Sequence, residues 1–434
     1  MAPLITRTWP PLRTRLNTLT CRQAIVGRRL ACAILAVGLA GAVTLAHAET
    51  VLDARVEVLG RPLDQRYQSA NLLYARNIWD LRWYKDRLYI GGGNSSNTGP
   101  AINAGPVPLF AFDIASNQWV LEGNVNDEQI DRFILLDGEL ITPGHDPRQS
   151  WEWGNFYVRS AEGKWTKHRN IPAGVHTYDM VSYNGLWFAA LGTAKGGAIA
   201  MSENRGASWE TVLVTPTRVA RFMVVNGQLL AMPVWGLRSG PSNDKPVQWR
   251  DGFWVPVAQQ GTQRWFPATN LEPRASLKIQ EVVSVDSGAL YIGAYTHNDH
   301  QARPFGLYFG SMNLQGNWSA EAVPLPNGWE PWDLVETGQA IYLLLNRRGD
   351  ERSEVQIWRS QRDAPKRWVP QLTLTVPGFA RALEVRDGVF YLGIGSEDQA
   401  QNGRHVPVLH PETGLVLRVR PDTASHSGSL SQKQ

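Results

Sequence analysis

Two short segments carry residues that could share a proton-transfer site: Gly144-His145-Asp146-Pro147-Arg148, and Val175-His176-Thr177-Tyr178-Asp179. Two imidazoles, or an imidazole and a phenol, can remove a proton α to a carboxylate and return one to a leaving oxygen, and a nearby arginine lowers the cost of the enolate-like intermediate. His145, His176, Tyr178 and Asp179 are therefore the candidate catalytic residues. Arg132, Arg221 and Arg381, with Asp80, Glu281, Asp333 and Trp151, are the candidate substrate-binding residues, since arginine forks onto carboxylates and tryptophan stacks on sugar rings. Together they fit β-elimination on an acidic, uronate-containing glycan. A carboxylate pair, Asp179 with Asp333 or Glu281, would instead suit glycoside hydrolysis at a suitable separation. The alternative to both is a non-catalytic module that binds glycan or protein through the same residues.

The elements that must position these residues come from a repeat. An apolar run, a turn and a second apolar run recur as DLRWYKDRLYIG, RFILLDGELITPG, DMVSYNGLWFAALG, RFMVVNGQLLAMP, EVVSVDSGALYIG, DLVETGQAIYLLL and RALEVRDGVFYLG. Asp-Gly and Asn-Gly between alternating β-branched and aromatic residues mark tight hairpins, because these residues tolerate positive φ. The turn glycines Gly138, Gly185, Gly227, Gly288, Gly338 and Gly388 lie 42 to 61 residues apart. That is near the period of a four-stranded blade. A tryptophan then opens a later strand in six repeats: Trp119, Trp165, Trp209, Trp254, Trp318 and Trp368. These indoles are expected to fill the wedges between blades. The pattern predicts an all-β fold, one seven-bladed β-propeller of four-stranded antiparallel blades over residues 78–420, preceded by an N-terminal segment, 49–77, that packs outside or helps close the ring.

In such a fold each inner strand starts at the mouth of the axial channel, and the loop between the second and third strands returns to the same face. Asp80, Arg132, Asp179, Arg221, Glu281, Asp333 and Arg381 then form a ring of nearly alternating charge, four carboxylates and three guanidiniums. It is either a set of inter-blade salt bridges or a polar substrate pocket. The loops add His145, Trp151 and Trp153, the His297-Asn298-Asp299-His300 cluster with Arg303, then Arg347, Arg348, Asp350 and Glu351, and finally Glu397, Asp398, Arg404 and His405. Trp235 and Trp332 fall near the same mouth. His297 and His300 have spacing that could ligate a metal, but no metal or other cofactor is expected. The sequence contains no phosphate loop, dinucleotide fingerprint or serine nucleophile elbow.

Ser202-Glu203-Asn204-Arg205-Gly206-Ala207-Ser208-Trp209 resembles the Asp-box (BNR) motif of sialidase-like secreted propellers. In that family the box turns between the two outer strands, away from the active site, so the resemblance implies fold more than activity. No Arg-Ile-Pro stands near the start, and seven repeats are one more than sialidases use. The architecture resembles the seven-bladed secreted lyases and hydrolases of uronate-containing polysaccharides.

The chain has 434 residues, 43 Lys plus Arg, 39 Asp plus Glu, 18 Trp and 2 Cys. Residues 1–48 carry six arginines and no acid, then an apolar run from Leu30 to Leu45 and Ala46-His47-Ala48. That is the layout of a secretory signal. Without it 37 basic residues face 39 acidic ones and both cysteines are gone, so disulfide scaffolds and basic nucleic-acid binding lose their support. The reading is a periplasmic or extracellular monomer, free of the membrane after signal cleavage, with carbohydrate or another small molecule as ligand at the channel mouth. The polar tail, 421–434, is expected to be disordered.

Overall fold

A computed structural model describes residues 55–95, 103–236, 244–258, 261–271, 275–296, 303–401 and 404–421. The expected signal, the tail beyond Pro421 and the His297–His300 cluster lie outside them. The described chain is a seven-bladed β-propeller of antiparallel blades. The innermost strands of blades 1 to 7 are Leu81–Tyr84, Ile134–Leu136, His176–Tyr183, Val219–Val225, Ser276–Val285, Glu330–Thr337 and Phe379–Arg386. The first hairpin of a blade turns where the sequence places glycine after Asp or Asn. Asp137-Gly138, Asn184-Gly185, Asn226-Gly227 and Asp387-Gly388 all have positive φ at both residues, as a two-residue hairpin loop requires.

The ring closes through the N-terminal segment. Blade 7 takes three strands from the C-terminal end, Phe379–Arg386, Val389–Gly395 and Val416–Val419, and its outermost strand, Val56–Gly60, from the start of the described chain. Val56 pairs with Val419 and Val58 with Leu417, so the two ends of the propeller are hydrogen-bonded to each other. Arg418 and Arg420 both reach Glu57 on that strand. Blade 3 carries two extra short strands on its inner edge, His145–Pro147 and Asp127–Gln129, and blade 5 carries one, Trp235–Gly236.

The repeated tryptophans pack each blade on the one before it. Trp165 of blade 2 meets Tyr89 of blade 1, Trp209 of blade 3 meets Phe156 of blade 2, and Trp254 of blade 4 meets Phe188 of blade 3. Trp119 of blade 1 donates its indole N–H to the Leu59 carbonyl on the closing strand, at 2.8 Å. Trp318 stacks on Trp265 with ring centres 4.2 Å apart, over Gly310, where a Cβ would come within 2.1 Å of the indole. The turn Glu203–Ser208 lies between the outer strands of blade 3. Ser202 Oγ accepts from the Gly206 amide at 2.8 Å and Asn204 Oδ1 from the Ser208 amide at 2.8 Å.

Trp318 is buried, so Trp318→Ala is expected to destabilise the propeller by about 3–5 kcal/mol. Urea unfolding followed by fluorescence reads this out, and a loss within half a kilocalorie would mean the indoles only decorate the wedges.

Candidate functional site

A bulge recurs on the inner strands of blades 3 to 7. The ladder to the second strand slips between Thr177 and Asp179, Val219 and Arg221, Ile279 and Glu281, Pro331 and Asp333, and Ala380 and Ala382. Counting back from the hairpin turns puts Asp80 and Arg132 at the same position in blades 1 and 2. The extra residue at each bulge, Tyr178, Ala220, Gln280, Trp332 and Arg381, forms one tier, with Trp79 and Asp131 at the same position in blades 1 and 2, and the next residue forms the charged tier. Arg381 was expected in the charged ring; the register places Ala382 there and Arg381 on the bulge. In blade 7 the acid sits one strand period further along, at Glu384.

The charged tier joins blades. Asp179 accepts from the Met180 amide at 3.0 Å with one oxygen and from the Phe222 amide of blade 4 at 2.8 Å with the other. Asp333 does the same with Leu334, 2.8 Å, and Leu383 of blade 7, 2.7 Å. Glu384 does it with Val385, 2.9 Å, and Trp83 of blade 1, 3.1 Å. Asp80 accepts from the Phe133 amide of blade 2 at 2.6 Å. Arg132 crosses the channel from blade 2 to blade 5, holding both oxygens of Glu281 at 2.9 and 2.7 Å, and touches Asp179 at 3.3 Å. Arg221 donates to the Gln280 carbonyl and lies 3.6 Å from Glu281. On the hairpin side of this tier the channel widens into a cavity of about 450 Å³, lined by Arg82, Arg132, Asp179, Arg221 and Glu281 among others. Asp80, Arg132, Asp179, Arg221, Glu281 and Asp333 thus spend their charge on one another and on neighbouring backbone, and Asp179 does not meet the histidines.

Burial raises the aspartates of this tier. Asp80 is pushed up to about 7 and Asp179 to about 6, in each case by desolvation opposed by a neighbouring arginine, Arg82 or Arg132. A carboxyl whose folded pKa lies above its unfolded value contributes stability that is fully present below about pH 4 and is lost as pH rises through the folded pKa. Asp80→Asn keeps an acceptor for Phe133 and removes this titration. It is expected to gain stability relative to the parent at pH 8 and not at pH 5, read as urea midpoints at both values; the reverse order would contradict the assignment.

On the other side of the tier, at the mouth, three of the four candidate catalytic residues come together. The extra strands align His176 opposite His145, and His145 opposite Gln129. The His145 and His176 rings meet edge-on at 5.3 Å, His145 and Tyr178 edge-on at 5.6 Å, and His176 stacks on Tyr178 at 5.1 Å. Asp146, held at φ 56, places Oδ1 at 3.0 Å from His176 Nδ1. That contact sets a carboxylate beside Nδ1. Arg218 Nη1 donates to Tyr178 Oη at 2.6 Å. Burial lowers His145 to about 4, outweighing Asp131 beside it, while burial raises the Tyr178 phenol. Both are thus neutral near pH 7. The ligand atoms of His145, Asp146 and His176 lie within 4.8 Å of one another, a set able to hold a divalent ion.

Asp146 and Arg218 complete this cluster, and neither was singled out as a site residue from sequence. A usable signal existed. Three residues before the charged tier stand Gln129, His176, Arg218, Lys278 and Glu330 in blades 2 to 6, so aligning the repeats on the charged residue exposes a second polar tier at the mouth. Trp151 sits on an exposed turn, while Trp235 and Trp332 are buried.

No family model and no curated protein matches the chain. Solved structures similar to it include the GH74 xyloglucanase from Xanthomonas campestris, 12% identical with a TM-score of 0.47 over 81% of this chain and 55% of that one. A putative 6-phosphogluconolactonase from Bacteroides uniformis is 9% identical with a TM-score of 0.45, over 78% of this chain and 98% of the other. A PL25 ulvan lyase is 9% identical with a TM-score of 0.43, over 79% and 91%. The chain spans about half the length of the xyloglucanase, and the likeness in each case is one of fold.

Proposed function

We propose that the mouth of this propeller binds an acidic glycan and cleaves it by β-elimination at a uronate. The observation that carries the reading is the contact of His145, His176 and Tyr178 with Asp146 behind one imidazole and Arg218 on the phenol oxygen. His176, oriented by Asp146, takes the proton α to the carboxylate through Nε2. The electron pair left on that carbon forms the new double bond as the bond from the neighbouring carbon to the glycosidic oxygen breaks. Tyr178 gives its proton to the departing oxygen. Because Arg218 donates to Oη, the phenolic hydrogen is free to point at the substrate, and the cation favours the phenolate left behind. The remaining donors of exposed Arg218 suit the uronate carboxylate, whose charge grows in the enolate-like intermediate. His145, neutral because it is buried, packs against both reacting rings without adding a charge. The hydrolytic alternative lacks a free acid pair, since Asp179, Glu281 and Asp333 are engaged between blades.

A panel of uronate-containing polysaccharides, followed by the ultraviolet absorbance of unsaturated products and by reducing ends, tests this. Tyr178→Phe and His176→Ala are each expected to lower kcat by about 10²–10⁴. Turnover that survives both substitutions would remove the assignment, and binding without turnover on any substrate would make the protein a glycan-binding module.

A further inference from the structure

His145 and Asp146 are neighbours on a short strand, and neighbouring side chains of an ordinary strand point to opposite faces. The positive φ of Asp146 breaks that alternation. Both side chains therefore reach one place, where His176, the pairing partner of His145, meets them: one ligand atom from each of the three lies within 4.8 Å of the other two. The finer distances are those of groups sharing an ion. Atoms bound to one zinc at about 2.0–2.1 Å stand about 2.9–3.4 Å apart, and two imidazoles on it have ring centres about 5 Å apart. Asp146 Oδ1 stands 3.0 Å from His176 Nδ1, and the His145 and His176 ring centres are 5.3 Å apart. The 3.0 Å contact is not aligned as a hydrogen bond, so Nδ1 has no hydrogen-bond partner among the described residues. With its side chain only 9% exposed, His176 cannot turn to water for one.

We propose that His145, Asp146 and His176 bind a divalent transition-metal ion of the zinc type, with three protein ligands and at least one position left for water or a substrate oxygen. Two imidazoles and one carboxylate suit a borderline ion such as zinc and are too poor in oxygen for calcium or magnesium. Asp131, which accepts from Gln129 at 2.9 Å, stands beside His145 and adds a second negative charge near the ion. An ion between Asp146 Oδ1 and His176 Nδ1 turns a misaligned contact into two bonds. A neutral imidazole has one lone pair to give, so His176 cannot hold the ion and take a substrate proton at once. The ion-loaded protein is therefore the inactive form, a consequence that rests on the elimination reading.

The experiment is calorimetric titration of the chelator-treated full chain with zinc, and with cobalt for its visible spectrum. One ion per chain is expected, with the intense cobalt bands of a four- or five-coordinate site. Asp146→Asn, which tolerates the positive φ and gives up the charge, and His176→Gln are each expected to weaken zinc tenfold or more. His145→Ala is expected to do the same; if it does not fold, the other two decide. The pair His297→Gln and His300→Gln removes the other histidine cluster of the sequence and is expected to leave zinc affinity unchanged. Zinc affinity that survives Asp146→Asn and His176→Gln, affinity lost with the His297 and His300 pair instead, or no zinc binding by the parent overturns the site. Any uronate substrate that the parent turns over is expected to stop reacting in the zinc-loaded protein and to react again after chelation; turnover unchanged at zinc saturation would overturn the sharing of His176. Absence of turnover on every substrate removes the elimination reading alone, since the zinc titration needs no substrate.

Discussion

A propeller leaves the inner edge of every blade facing the channel, with backbone N–H groups that have no strand to pair with. Here a carboxylate solves that problem. An acid one residue past the bulge, or one strand period further in blade 7, uses one oxygen on the amide that follows it and the other on an amide of the next blade's inner strand, as Asp179, Asp333 and Glu384 do. Such a hydrogen bond contributes about 0.5–1.5 kcal/mol, while leaving a buried amide unpaired would cost about 1–3 kcal/mol. The same contact sets the angle between blades, and with it the position of whatever lies one residue earlier on each strand.

The mouth inherits its geometry from that clamp. Tyr178 is the residue before Asp179, Trp332 the residue before Asp333, and Trp79 the residue before Asp80. A bulge turns Tyr178 and Trp332 out of the alternation that their neighbours follow, so the acid can point between blades while the preceding residue joins the mouth. The clamp and the site are thus successive residues of one strand. Arg132 extends the arrangement by reaching from blade 2 to Glu281 of blade 5. That crossbar puts the histidines above it and the cavity of about 450 Å³ below it in different surroundings, although both lie on the same axis.

Much of this was legible in the sequence because it depends on short-range rules. Asn-Gly and Asp-Gly announce their own turns, and an indole at one place in each repeat announces a wedge to be filled. His145 and His176 were legible as partners because each falls where its repeat returns to the mouth. Closure by the segment 49–77 was one of two expectations, but its partner was not legible, since the five residues Val56–Gly60 carry too little alternation to fix a strand more than three hundred positions away. Arg381 was misplaced for a different reason. A bulge inserts one residue without changing the hydrophobic pattern around it, so the pattern alone places the ring one residue off wherever the ring residue is a small apolar one such as Ala382.

Asp146 shows where local reading stops and the fold takes over. Its neighbours Gly144 and Pro147 read as an ordinary turn, yet its φ of 56 is unusual for a non-glycine residue. The strand His145–Pro147 pairs on one side with His176 and on the other with Asp127–Gln129, so a strand on either side holds the peptide in that conformation. Strain of this kind costs on the order of 1–3 kcal/mol and persists only where surrounding structure over-determines it. What it secures is the 3.0 Å contact to His176 Nδ1, which a relaxed backbone at Asp146 would turn away. The two histidines meet because the strands pair, and one of them is aimed because the residue beside the other is strained.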